Sequence, residues 1–173
     1  MMKTVIRRKK LSGTKEWSNA TMNCFAGCDN GCKYCYAQSR KIQLRMLTAE
    51  NRNTPVERDW GSFVSAFKGV CRELKGEGTI MFPSTHDISP KKIDCCLKAL
   101  DYMLEGSNYK FLIVSKPWLE CVSRMCDALK YHKDRIMFRF TIGSADDSIL
   151  KFWEPDASTF GERVDCVKYA FDQ

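Results

Sequence analysis

Four of the ten cysteines in this chain of 173 residues lie within residues 24–35, and this segment constrains the fold more than any other. We refer to residues 24–35 as the cysteine loop. Its last three cysteines have the spacing C-x3-C-x2-C: Cys28, Cys32 and Cys35. Gly27 and Gly31 allow the backbone to turn tightly enough for three sulfurs to face one centre. Thiolates are soft ligands that suit iron–sulfur clusters, zinc and copper(I), so this pattern predicts a metal centre.

Zinc and an iron–sulfur cluster are the two main alternatives for this centre. Cys24 would complete a set of four thiolates, which a structural zinc accepts. Zinc sites usually pair two short ligand knuckles separated by a longer loop, whereas here all four cysteines share one loop. The bacterial ferredoxin pattern, C-x2-C-x2-C followed by proline, does not occur in the sequence. The spacing therefore favours a cluster held by three thiolates, with one iron not ligated by protein. Disulfides are not expected, because nothing at the N-terminus reads as a secretory signal.

The cysteine loop resembles the signature of the radical S-adenosylmethionine (SAM) enzymes, in which an aromatic residue, here Tyr34, precedes the third cysteine. The longer pattern is most similar to the spore photoproduct lyase-like branch and adds Asn23, Cys24, Tyr36 and Ala37. The resemblance implies that the three cysteines of the motif bind a [4Fe-4S] cluster and that Cys24 is not a ligand. It also implies that the open iron chelates SAM and that one electron from the reduced cluster cleaves the sulfonium. The resulting 5′-deoxyadenosyl radical would remove a hydrogen atom from a substrate. Tyr34 and Tyr36 are then candidate contacts of the cofactor.

Composition and charge limit what the rest of the chain can be. The proportions of 44% hydrophobic and 28% charged residues are typical of a single globular domain. Uninterrupted apolar stretches are only a few residues long, so a membrane span is excluded and a cytoplasmic location is expected. The net charge of +7 permits a nucleic-acid partner. The basic run at residues 7–10 either contacts phosphates or is a solvated tail.

Hydrophobic patterns predict four short strands, at residues 19–23, 79–82, 109–114 and 135–142. A helix is expected at residues 37–49, and four more are expected to begin near Asp59, Ser89, Pro117 and Thr159. Glu162 follows Thr159 at the spacing of a capping box. Residues 52–58 and 143–157 are expected to be connectors. The last helix is expected to bury an apolar stripe: Phe160, Val164, Val167 and Phe171.

The alternation of strands and helices predicts a parallel sheet with right-handed crossovers. A closed eight-stranded barrel takes about 250 residues, which this chain does not have. Radical SAM cores are usually partial barrels of six βα units, so the resemblance implies an α/β fold with an incomplete partial barrel, about four parallel strands and outer helices. We expect a basic N-terminal segment at residues 1–18 and a core, truncated on its C-terminal side, at residues 19–173. The open edge of the fourth strand leaves three alternatives: a fragment, an edge covered by a partner chain, or a shortened relative.

The resemblance places further cofactor-binding residues at the carboxyl ends of strands, where ligands of α/β proteins gather. Asp87 follows the second strand, where this branch carries a T-D-P-type segment near the amino group of SAM. Here, however, His86 precedes the aspartate and no proline follows it, and the alternative is a turn cap. Ser115 and Lys116 resemble a T-K-S segment whose lysine approaches the SAM carboxylate. The alternative for Lys116 is a strand-end lysine in solvent.

Residues after the fourth strand complete the candidate site. Thr141 and Ser144 lie where the family often places a hydroxyl against SAM. Glu154 and Arg163 match an E-P…R pattern of this branch, and we expect them either to pair with each other or to contact the cofactor. The cysteines outside the loop are expected to be small thiols on helices: Cys71, Cys95, Cys96, Cys121, Cys126 and Cys166.

Two functions from different classes fit this sequence. The first is a radical SAM enzyme of lyase or oxidoreductase type, supplied by a one-electron donor such as flavodoxin or ferredoxin. The branch implies a DNA photoproduct as substrate, although its lyases take a hydrogen-donor cysteine and much of the substrate pocket from sequence beyond the part matched here. The second is a non-catalytic α/β module stabilised by zinc or an iron–sulfur cluster, which the short length supports.

Overall fold

A computed structural model of the chain describes residues 13–45, 48 and 53–173. The basic run at residues 7–10 lies outside them. Four strands, numbered along the chain, form one parallel sheet in the order β1 (Ala20–Thr21), β4 (Thr79–Phe82), β5 (Lys110–Ser115) and β6 (Ile136–Phe140). A separate antiparallel pair joins β2 (Phe25–Ala26) to β3 (Val56–Glu57). The prediction of an α/β fold with four parallel strands is confirmed, and its relation to a barrel stays a prediction.

Helices connect the parallel strands and flank the sheet. The described residues form α1 (Tyr36–Gln43), α2 (Trp60–Leu74), α3 (Ile93–Glu105), α4 (Leu119–Leu129), α5 (Asp147–Trp153) and α6 (Phe160–Phe171), with short 3-10 helices at Gly13–Glu16 and Lys130–Arg135. The α2 helix begins as predicted, because the side chain of Asp59 accepts a hydrogen bond from the Ser62 amide at 2.8 Å. None of the helices in the described ranges is long and apolar enough to cross a membrane.

One face of the sheet, which we call the helix-packed face, forms the hydrophobic core. The parallel register aligns its side chains in two rows, Ile80 with Phe111 and Ile136, and Phe82 with Ile113 and Phe138. These rows belong to the same buried cluster as Phe63 of α2, Leu100 of α3 and Val122 of α4. Alternation along each strand therefore sends every second side chain into the core, as the predicted strand pattern requires.

The opposite face, which we call the cavity face, is built by the alternate residues of the same strands. Met81 aligns with Leu112 and Met137 across the sheet. Met137 is 68% exposed, whereas Arg139, two residues further along the same face, lies 3.9 Å from the centre of the Trp17 ring. The cavity face is thus partly open near β6, which is also an edge strand of the described sheet, as the sequence predicted.

Three local predictions are wrong. The α1 helix ends at Gln43, not near residue 49. Ser89 does not cap the next helix, because its hydroxyl donates to Asp29 at 2.7 Å, and α3 begins only at Ile93. Residues 143–157 contain α5, whose first amides are capped by Asp146. The second error arises because the partner of Ser89 is set by the fold, and the third because the capping role of Asp146 was not recognised.

The buried face of α6 also differs from the prediction. Thr159 caps the helix by accepting from the Glu162 amide, as expected, but the Glu162 carboxylate accepts from the Leu119 amide. Val167 and Phe171 are exposed, at 44% and 89%, whereas Arg163 is fully buried. The buried face of α6 was predicted wrongly because hydrophobic periodicity treats arginine as a solvent-facing residue. Here Arg163 is buried because it has a buried carboxylate partner, Glu154.

Candidate metal and cofactor site

Asn23 fixes the start of the cysteine loop against the segment that follows β4. Its side-chain oxygen accepts hydrogen bonds from the amides of Ser84 and Thr85 at 2.8 and 2.9 Å, and its amide donates to the Ser84 hydroxyl. The loop then turns at Gly27 and Gly31, which have positive φ angles of 91° and 61°. The tight turns predicted from the two glycines are therefore present.

The three cysteines of the motif line one cavity of about 230 Å³ at the carboxyl end of the parallel strands. Cys28 and Cys32 are buried, and Cys35 is half-buried. Five predicted cofactor residues line the same cavity: Tyr34, Tyr36, Asp87, Lys116 and Thr141. The fold thus brings the cysteine loop together with the ends of β4, β5 and β6, which are far apart in the sequence.

Asp87 links the cysteine loop to the end of β5. Its Oδ1 accepts from the Lys116 amide at 2.8 Å, and its Oδ2 accepts from the Asn30 side chain at 2.8 Å and from the Lys116 ammonium at 3.4 Å. Burial disfavours the charge on Lys116, but Asp87, together with the other acidic groups around the cavity, more than offsets burial and holds the pKa of the ammonium above its usual range. Lys116 is therefore not a strand-end lysine in solvent, and Asp87 does more than cap a local turn.

The two tyrosines of the motif border the cavity and are partly open to solvent. Tyr36 donates to the Ser84 carbonyl at 3.3 Å. Tyr34 donates to the carboxylate of Glu154, and burial together with this bond raises the pKa of the phenol above its usual range. The Lys116 ammonium lies 5.8 Å from the centre of the Tyr34 ring. Tyr34 therefore contacts both the cationic side of the cavity and the α5–α6 junction.

Two predicted cofactor residues lie elsewhere. Ser115 is buried beneath the cavity, where its hydroxyl accepts from the Ile88 amide at 2.9 Å. Ser144 lines a neighbouring cavity of about 350 Å³, which shares Tyr34 as a wall, and its hydroxyl accepts from the Asp146 amide. The structure thus gives both serines internal hydrogen bonds and does not bring either to the cysteine cavity.

Several polar residues that support the site were not singled out from the sequence. Asn30 and Gln38 are buried, and the Gln38 side chain donates to the Cys28 carbonyl at 3.4 Å. Asp29 forms a buried ion pair with Lys92 at 2.6 Å. These residues could have been recognised by the burial of their polar groups near a candidate site. That burial depends on contacts between residues distant in the chain, which a single sequence does not display.

The chemistry of the three thiols can be compared with the group that the motif implies. Burial raises the pKa of Cys28 above its usual range and that of Cys32 to about 12, so binding a metal has to displace protons. Among residues 13–45, 48 and 53–173, no group of three or more His, Cys, Asp or Glu side chains is arranged to hold a metal ion. A cubane cluster does not require thiolates to converge on one ion, because each binds a different iron. Three soft donors around one cavity are a set that an iron–sulfur cluster accepts.

Cys24 does not line the cavity. Its Sγ lies 3.6 Å from Sγ of Cys96 and 3.8 Å from Nε2 of His86, within a buried group behind the loop. Burial lowers the pKa of His86 to about 4, so its ring is neutral. Cys24 therefore lies apart from the cavity that the last three cysteines of the loop line.

Comparison with known proteins gives two relatives. The chain is 26% identical over 165 residues to "Uncharacterized protein ORF301" of Acidianus two-tailed virus, an alignment that covers 90% of this chain and 53% of that protein. It is also 33% identical over 81 residues to DNA ligase 4 of Saccharomyces cerevisiae, which covers 45% of this chain and 9% of the ligase. The chain thus spans about half the length of the viral relative. No family model matches the sequence, and no solved structure matches it at a significant level.

Proposed function

We propose that this chain is a radical SAM protein that binds a [4Fe-4S] cluster through Cys28, Cys32 and Cys35. One observation carries the proposal: the three cysteines share a single cavity with Asp87 and Lys116, which present opposite charges. When bound, such a cluster supplies the electron that cleaves SAM to a 5′-deoxyadenosyl radical. Neither relative adds to this argument, because the name of the viral protein states no activity and the ligase match covers a small part of that enzyme.

The charged pair in the cavity suits the two ends of an amino acid. SAM carries an amino group and a carboxylate, to which Asp87 and Lys116 respectively would form hydrogen bonds. The two side chains bond to each other at 3.4 Å, longer than a well-formed charged hydrogen bond. When SAM binds, Asp87 and Lys116 would therefore exchange one long bond to each other for two bonds to SAM. Thr141, at the end of β6, would offer a hydroxyl on the third side of the cavity.

The remaining expectations are part of the same proposal. A small one-electron carrier such as flavodoxin or ferredoxin would reduce the cluster. The exposed edge of β6 would be covered by a partner chain, since an unprotected edge strand invites pairing. A nucleic acid is the substrate class that the resemblance and the net charge of +7 favour. A cytoplasmic location is part of the proposal because radical SAM clusters require reducing conditions.

Anaerobic reconstitution with iron and sulfide tests the proposal. The loaded chain should be brown, with broad absorption at about 400 nm. It should also form 5′-deoxyadenosine from SAM when dithionite is added. Cys32→Ala should abolish this reaction, whereas the matched change Cys24→Ala should retain it. Stoichiometric zinc without SAM cleavage would instead support the non-catalytic α/β module.

A further inference from the structure

The α5–α6 junction, residues 153–156, packs directly against residues 30–34 of the cysteine loop, on both sides of Cys32. The Lys33 amide donates to the Trp153 carbonyl at 2.9 Å, and the Asp156 amide donates to the Asn30 carbonyl at 3.4 Å. A β-carbon at Gly31 would lie 2.9 Å from Oδ2 of Asp156 and 3.2 Å from Cγ of Pro155, so the two segments approach closely there. A region that the sequence presented as a connector is therefore one wall of the loop.

Glu154 is the charged centre of this wall. Its carboxylate is buried, with one oxygen 2.6 Å from the Arg163 guanidinium and the other accepting from the Tyr34 hydroxyl. Arg163 is itself fixed, because it donates twice to the Ser158 carbonyl and once to the Thr141 carbonyl. Arg163 thus fixes the Glu154 carboxylate relative to α6 and to the end of β6.

A buried ion pair is costly to desolvate, and an apolar pair of similar volume is often as stable. What an apolar pair could not supply is a rigid acceptor aimed at Tyr34. Tyr34 directly precedes Cys35, and its neighbour Lys33 directly follows Cys32. The geometry points to Glu154 as a positioning residue that acts through the Tyr34 hydroxyl to fix the direction in which Cys32 and Cys35 present their sulfurs. This inference rests on the proposed function for the identity of the metal group, but not for the anchoring itself.

Tyr34→Phe is the sharpest test, because it removes one hydroxyl and leaves the Glu154–Arg163 pair intact. In the metal-free full chain, deuterium exchange of the Lys33 amide should become about two- to tenfold faster, as expected for the loss of one hydrogen bond. Glu154→Gln should have the same or a larger effect. Glu162→Gln, which changes a carboxylate bonded to the first amide of α4, should leave this exchange rate unchanged.

A second measurement, the rate of iron release, tests the effect on the cysteine ligands. After anaerobic loading, iron should pass to a bipyridine chelator about two- to tenfold faster from Tyr34→Phe than from Glu162→Gln, in line with one lost hydrogen bond. Unchanged exchange of the Lys33 amide in Tyr34→Phe would overturn the anchoring role. Faster exchange with equal iron release from the two variants would overturn the effect on the cysteines. A chain that takes up no iron would refute the proposed function, while the exchange experiment would still decide the anchoring.

Discussion

The helix-packed face and the cavity face of the sheet come from the same strands but differ in what covers them. On the helix-packed face, Ile113 is fully buried, in a cluster that includes side chains of α2, α3 and α4. On the cavity face, its neighbour Val114 is only half-buried and lines the cysteine cavity. The comparison indicates that stability resides mainly on one face, and that the other is left open for ligands at the carboxyl ends of the strands.

The largest expected effect is a loss of stability caused by a substitution on the helix-packed face. Ile113→Ala removes a fully buried side chain and should lower the free energy of unfolding by about 2–5 kcal/mol. Val114→Ala, one residue away on the cavity face, should cost about 1 kcal/mol or less, because a half-buried side chain leaves a smaller void. Urea denaturation of the two variants measures the difference. Equal losses would show that the two faces contribute alike to stability.

The next effect concerns ligand binding on the cavity face. Lys116→Met should weaken SAM binding to the loaded chain by about tenfold or more, since it removes a charged hydrogen-bond donor. Ser144→Ala should leave binding unchanged, because that hydroxyl is bonded to the Asp146 amide outside the cysteine cavity. Equilibrium dialysis with labelled SAM compares them. If Ser144→Ala weakened binding as much as Lys116→Met, this assignment of the cavity would be wrong.

A smaller effect arises where the two faces meet. His86 lines the cavity and packs edge-on against Phe82 of the core. Its Nε2 accepts from the Phe25 amide at 3.3 Å and its Nδ1 donates to the Asp87 carbonyl, so protonation would break the first bond. The pKa of His86 falls from 6.5 to about 4 on folding, mainly through burial.

The folded state therefore binds fewer protons at His86 than the unfolded state, and the stability from the neutral ring is lost as the pH falls from 6.5 towards 4. We expect a loss of about 2 kcal/mol between pH 7 and pH 5. His86→Gln should show a flatter dependence over this interval in denaturation experiments. Parallel curves for the two proteins would mean that other groups control the acid sensitivity.

The strands and most helices could be predicted because their signals are local. Alternation gave the two faces of β6, and Asp59 marked the start of α2 through its own side chain. The α5 helix was missed because its seven residues lie between polar turn formers and a proline, a composition typical of loops. The short β2–β3 pair was missed for a similar reason, since two-residue strands carry almost no periodicity.

The site was predictable to the extent that its residues form a motif. The cysteine spacing and the strand-end positions of Asp87, Lys116 and Thr141 gave six of the eighteen residues that line the cavity. The contacts between Tyr34 and Glu154, and between Asn30 and Asp87, join residues 120 and 57 positions apart. Such pairings depend on how the chain folds back on itself, and a single sequence carries no periodic signal for them.

The most direct test of the central claim is Mössbauer spectroscopy of the anaerobically loaded chain, recorded with and without SAM. A cluster held by three cysteines predicts about four irons per chain, with the signal of one of them changing when SAM is added. A spectrum that SAM leaves unchanged, or a protein that takes up zinc in place of iron, would contradict the claim that one iron is left open beside Asp87 and Lys116.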